Sequence, residues 1–137
     1  MTTNPTHIQP SRALALALTI FIGGTLTGAC TTLDTGGAGS SYAYIMGEMT
    51  TTETAYLPAG FEVARTVLEG RGYRIKTSDR DEIRGTLLAE NPEGGQARID
   101  LDQLGIQKLR ISIRIGIVGD REESRQILDS IRSRLAA

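Results

Sequence analysis

The sequence predicts an α+β domain of two layers: a mostly antiparallel sheet of four to five strands carrying two helices on one face, in the order β-α-β-β-β-β-α. Three observations predict it. Between residues 73 and 117 apolar and polar residues alternate, the period of a strand with one buried and one wet face. Two other segments, "FEVARTVLEG" and "REESRQILDSIRSRL", repeat their apolar residues at helical spacing. Short links join the alternating runs, so consecutive strands become antiparallel neighbours. Placing both helices on one side of the sheet then buries every apolar face at once.

The elements follow in order. "YAYIMGEMT", from Tyr42, reads as one strand, with Tyr42, Tyr44 and Met46 sharing a side. These three form either an aromatic strip for a ligand or packing at the sheet edge. Packing is favoured, because large apolar residues mostly bury. This strand joins an edge of the sheet or slips between its neighbours. In "LPAGFEVARTVLEGRGY", Pro58 suits a helix start and Gly70 and Gly72 a helix stop. Phe61, Ala64 and Leu68 share a face there, with Val67 beside it, over about three turns. "YRIKTSDRD" sets Tyr73, Ile75 and Thr77 against Arg74 and Lys76. "EIRGTLLAE" sets Gly85, Leu87 and Ala89 against Arg84, Thr86 and Leu88. After the turn "NPEGG", Ile99 and Leu101 point inward and Arg98, Asp100 and Asp102 outward. The clearest strand, "LRISIRIGIV", puts Ile111, Ile113, Ile115 and Ile117 on one face and Arg110, Ser112, Arg114 and Gly116 on the other. Asp120 then stands at an N-cap position with Glu123 three residues on, close to a capping box. Ser124, Ile127, Leu128, Ile131 and Leu135 form the buried stripe of the last helix.

Ahead of this domain, residues 1–12 are polar and "ALALALTIFIGGTL" carries no charge. The run falls short of the roughly 20 apolar residues of a membrane-spanning helix but suits the core of a secretory signal peptide. Thr27, Gly28 and Ala29 lead into Cys30, the single cysteine. This resembles the lipobox of bacterial lipoproteins, with Thr27 where Leu is commonest. Small side chains admit a peptidase between Ala29 and Cys30, and the thiol accepts a diacylglycerol group. Stable anchoring takes more than one acyl chain, which a three-chain lipid supplies. The expected organisation is a removed signal peptide over residues 1–29, a lipidated and flexible linker over 30–41, and one domain over 42–137. Thr31, rather than Asp, follows the cysteine, which directs such proteins to the outer membrane.

Chemistry is constrained by what maturation leaves. His7 is the only histidine and goes with the signal peptide. Cysteine–histidine and serine–histidine nucleophiles are then absent, as is the commonest metal ligand. Fifteen Lys and Arg against 16 Asp and Glu give a net charge of −1, which offers no bulk argument for nucleic acid. Asp100 and Asp102 share a strand face and could do acid–base work, yet on an open sheet they read better as partners of Arg98 or Arg114. The wet face carries Arg74, Lys76, Arg84, Arg98, Arg110 and Arg114 against Glu90, Asp100 and Asp102. This positive excess suggests a shallow surface for an envelope protein or an anionic glycan or lipid; the plainer account is charge pairing that keeps the sheet soluble. "GIVGD" is a capped strand-to-helix turn rather than a phosphate cradle, since Asp120 repels an anion.

The signal with Cys30, the small-residue linker, "YAYIMGEM", "GRGY", "IRGTLLAE" and above all "SIRIGIVGDREESRQIL" together resemble a family of small bacterial envelope lipoproteins, domain of unknown function 3568. The likeness spans nearly the whole chain. It implies an envelope lipoprotein with a small α+β domain and no known activity, so no catalytic residues carry over. The expectation is a non-enzymatic binding or scaffolding protein, attached to the membrane by its lipid, with no cofactor beyond that lipid, no metal and no nucleic acid. The alternative is a small envelope hydrolase or glycan-active enzyme that uses carboxylates.

Overall fold

The computed structural model describes residues 35–36 and 40–137. The signal segment, Ala29 and Cys30 lie outside the described residues. Within the stretch read as a linker, β1 (Thr35–Gly36) pairs antiparallel with β2 (Ser40–Ser41). The rest is β3 (Ala43–Ile45), β4 (Glu48–Glu53), α1 (Leu57–Gly70), β5 (Arg74–Arg80), β6 (Arg84–Glu90), β7 (Gln96–Gly105), β8 (Lys108–Ile115) and α2 (Arg121–Leu135). The main sheet has six antiparallel strands in the order β3-β4-β8-β7-β6-β5. Both helices cover one face, α1 over β5, β6 and β7 and α2 over β4 and β8.

The strand count exceeds the predicted four to five because "YAYIMGEMT" is a hairpin and not one strand. Met46 and Gly47 both take positive φ, 52° and 82°, which is the backbone of a type I′ turn. That turn usually announces itself as Asn-Gly or Asp-Gly, a signal that Met-Gly lacks. Tyr42 and Tyr44 still face the helices, with Tyr42 buried and Tyr44 packed against the core. Met46 parts from them into the turn and is 89% exposed. The hairpin docks through β4 on β8, with Met49 opposite Ile113 and Thr51 opposite Ile111. β3 is thereby the outer edge.

The core lies between sheet and helices. Leu87, Ile99, Leu101, Ile111 and Ile113 meet Phe61, Ala64, Leu68, Ile127, Leu128 and Ile131, all buried. Two expected faces are corrected. A bulge at Lys76 follows the Ile75–Ala89 pair, so Thr77 pairs with Leu88 and turns to the open face. β8 ends at Ile115, and Gly116 takes φ 69°, which throws Ile117 off the strand to 94% exposure.

Helix ends follow local chemistry. Pro58 sits in the first turn of α1. At its other end Gly72 has φ 86°, its N–H donates to the Glu69 carbonyl, and the Tyr73 N–H donates to the Leu68 carbonyl. That is a Schellman close, which a glycine in the left-handed region permits. At α2 the Asp120 carboxylate accepts the Glu123 N–H at 2.9 Å. Only this half of the expected capping box forms. The Glu123 carboxylate instead accepts the Tyr73 hydroxyl at 2.6 Å, joining the end of α1 to the start of α2.

Candidate functional site

The face away from the helices is a ladder of charges. Arg84 donates to Asp102 at 3.0 Å, and Arg110 approaches the same carboxylate at 4.0 Å. Asp100 accepts from Arg98 at 2.5 Å and from Thr86 Oγ1 at 2.8 Å. Lys76 pairs with Glu90 at 3.0 Å and Arg114 with Glu48 at 3.8 Å. The expected positive excess needs correction. The β4 strand brings Glu48 onto this face opposite Arg114, and the Lys76 bulge brings Asp79 opposite Thr86. Five acidic groups thus answer the six basic ones. Neither of the two was assigned to this face from sequence, since one sits on an unforeseen strand and the other beyond a register shift.

The predicted arginines do not form one patch. Arg74 stands opposite Glu90 on the edge strand and lines a separate hollow of about 640 Å³ with Glu69 and Asn91. Arg84 and Arg110 cluster around Asp102 toward the β7–β8 turn. Arg98 and Arg114, by contrast, stand directly opposite each other across β7 and β8. Like charges in that position repel. Asp100 and Glu48 offset the repulsion, and the bond that Arg98 donates to Asp100 raises the Arg98 pKa further above its already high value. Beside this couple is a shallow basin of about 340 Å³ edged by Lys76, Glu90 and Gly116, with half-exposed Leu88 in its wall.

The same end of the sheet carries an apolar cluster not read from sequence. The Met46–Gly47 turn and the turn after β8 lie back to back. A Cβ on Gly47 would come 2.4 Å from the Val118 carbonyl oxygen, and one on Gly119 would come 2.3 Å from the Gly47 backbone. This contact brings together the turns that present Ile45, Met46, Ile117 and Val118, which are 63%, 89%, 94% and 87% exposed. Arg114 adjoins them, its guanidinium donating to the Met46 carbonyl at 3.3 Å. The signal available in the chain was Gly47 and Gly119 each preceded by two apolar residues, but their contact spans more than seventy positions.

On the helix side a second polar cluster also escaped the sequence reading. Arg132 donates to Glu53 at 2.6 Å, to Thr51 Oγ1 at 2.7 Å and to the Ser41 carbonyl at 3.1 Å. The ion pair is only 15% and 20% exposed, and it pins the chain entering the domain to β4 and α2. Tyr73, buried against Glu123, has its pKa raised above the ordinary value, first by burial and then by that carboxylate. Among the described residues no group of three His, Cys, Asp or Glu side chains is placed to hold a metal ion. Among them, too, no helix is long and apolar enough to cross a membrane.

No curated protein matches the chain. The family model described as Protein of unknown function (DUF3568) matches residues 12–134, which takes in the apolar N-terminal run and all but the last three residues of the folded domain. The chain therefore belongs to the DUF3568 family.

Proposed function

We propose that this chain is a lipid-anchored protein of the bacterial cell envelope, held at the outer membrane and facing the periplasm, whose domain docks another envelope protein without catalysis. The anchoring part rests on the charge-free run and the small residues before Cys30. The docking part is carried by one observation: the Arg98–Arg114 couple and the exposed Ile45, Met46, Ile117 and Val118 occupy the same end of the sheet. Exposed apolar groups gathered beside arginines fit a protein interface, whose core is apolar and in which arginine and methionine are enriched. Backbone contact between the two turns presents those groups with little conformational freedom left to lose, which favours binding.

The rival hydrolase reading would use Asp100 and Asp102. Both are engaged by Arg98, Thr86, Arg84 and Arg110 on an open sheet face rather than facing each other across a cleft. This supports the docking reading.

A photo-crosslinking residue at Ile117 in intact cells tests it. The expected result is one discrete envelope protein, lost when Met46→Asp or the pair Arg98→Glu and Arg114→Glu is added. Capture that matches a crosslinker at the helix position Arg125, or that ignores these substitutions, would end the reading. Capture of glycan in place of protein would replace the partner class.

A further inference from the structure

We propose that the basin beside Arg98 and Arg114 binds a small organic acid, its carboxylate held by the guanidinium groups and its apolar part laid against Leu88. The strand register builds this basin. Leu88, Arg98 and Arg114 stand side by side on β6, β7 and β8, each the partner of the next. The neighbouring row on the same face begins with Glu90 opposite Gln96. Its next place falls to Gly116, whose N–H donates to the Gln96 carbonyl at 2.7 Å. Gly116 carries no side chain, and the space where a Cβ would stand is open. On the other side the bulge at Lys76 bends the edge strand. The result is a hollow of about 340 Å³, a size that holds small ligands.

Charge selects the ligand class. Arg98 donates twice to Asp100, at 2.5 Å and 3.1 Å, and Lys76 pairs with Glu90 at 3.0 Å. These two cations are each matched by a carboxylate. Arg114 is matched only loosely. Among the described residues it pairs with Glu48 alone, at 3.8 Å and without a hydrogen bond, and its one hydrogen bond runs to the Met46 carbonyl at 3.3 Å. The uncompensated charge at the basin is therefore that of a single guanidinium. A monoanion balances it, whereas a phosphate dianion overshoots. A carboxylate takes two parallel bonds from one guanidinium fork. Seated between Arg98 and Arg114, it also relieves the repulsion of two like charges placed directly opposite. Leu88 interrupts the charged row as a partly exposed aliphatic group, and Ala89, Ala97 and Gly116 complete the apolar wall. A ligand with an apolar chain covers that wall, which a bare inorganic anion does not. This binding does not rest on the docking reading, although the two share Arg98 and Arg114.

The test is an NMR titration of the full chain in zwitterionic nanodiscs, isotope-labelled at arginine nitrogens and leucine methyls. Butanoate is the probe at neutral pH, with butylammonium and inorganic phosphate as controls at matched ionic strength. Butanoate should move the Arg98 and Arg114 side-chain N–H signals and the Leu88 methyls together, saturating with a dissociation constant of about 1 mM, within reach of so few atoms. The two controls should leave those signals in place. Arg114→Gln should weaken butanoate at least tenfold, while unchanged Leu87 and Leu101 methyl signals show that the core is intact. Arg110→Gln, on the same face but outside the basin, should bind as the parent does. Absence of saturation, an equal response to butylammonium, tighter binding of phosphate, or undiminished binding in Arg114→Gln overturns the inference. Capture at Ile117 is read separately, so each of these failures leaves the docking reading standing.

Discussion

Asp81 carries two backbone donors on one carboxylate. The Ile83 N–H reaches it at 2.9 Å and the Arg84 N–H at 2.7 Å. These bonds are made to the charged form, so they hold the Asp81 pKa below the ordinary carboxylate value, with Arg84 adding a smaller pull in the same direction. A depressed folded-state pKa means that this stabilisation is complete above about pH 4, the unfolded value, and is lost as the pH falls through the folded one. The expected outcome is that exchange of the Ile83 and Arg84 amide protons, corrected for intrinsic rates, accelerates below that pH. In Asp81→Ala the step should vanish. Amide exchange measured from pH 6 down to pH 2.5 checks it, and an unchanged profile in the variant would remove Asp81 as the cause.

Elements differ in how openly their sequences declare them. The last helix was legible down to its cap: Asp120, Ser124, Ile127, Leu128 and Ile131 do what their spacing requires, because a helical stripe is set by neighbours within two turns. The β6, β7 and β8 faces were legible for the same reason at period two. The hairpin at Met46 and Gly47 was not. Its turn is stabilised by the Val118 carbonyl and Gly119 packed against it, which no local pattern contains. That contact gives a prediction at this scale. Gly47→Ala combines an unfavourable positive φ with overlap onto backbone that has no rotamer to yield, and should destabilise by about 2–3 kcal/mol. Urea unfolding measures it. The same variant should part the two turns and weaken capture at Ile117, whereas Gly94→Ala, at φ 85° but with open space around it, should cost less.

For the whole molecule, the two ends of one sheet differ in make-up. The Ile117 end joins the exposed apolar turns to the Arg98–Arg114 couple, and the other end carries the exposed Tyr56, Ile83, Leu104 and Ile106. The antiparallel order that places β4 beside β8 brings the entry of the chain, through the Ser41 carbonyl, against Thr51 of β4 and Arg132 of α2. Cys30→Ser should abolish incorporation of labelled fatty acid and release the domain from membranes, while its unfolding midpoint stays unchanged, because the described core draws nothing from the residues before Tyr42. Fatty-acid labelling and cell fractionation check the first part, and thermal unfolding the second. Labelling that persists in the variant would sink the anchor.

Hydrophobic period and turn chemistry by themselves determined the two-layer class, the alternation of strands and helices from α1 onward, and the buried face of β6, β7, β8, α1 and α2, though not every residue on it. Each is a property of residues a few positions apart. Tertiary structure alone decided that the first strand is a hairpin on β8, that Glu48 and Asp79 bring the open face close to neutral, and that Arg98 with Arg114 joins the apolar turns while Arg74 does not. The reason is physical: charge balance and surface clustering depend on which distant segments become neighbours, and a bulge or a back-to-back turn shifts that pairing by one residue with almost no local trace.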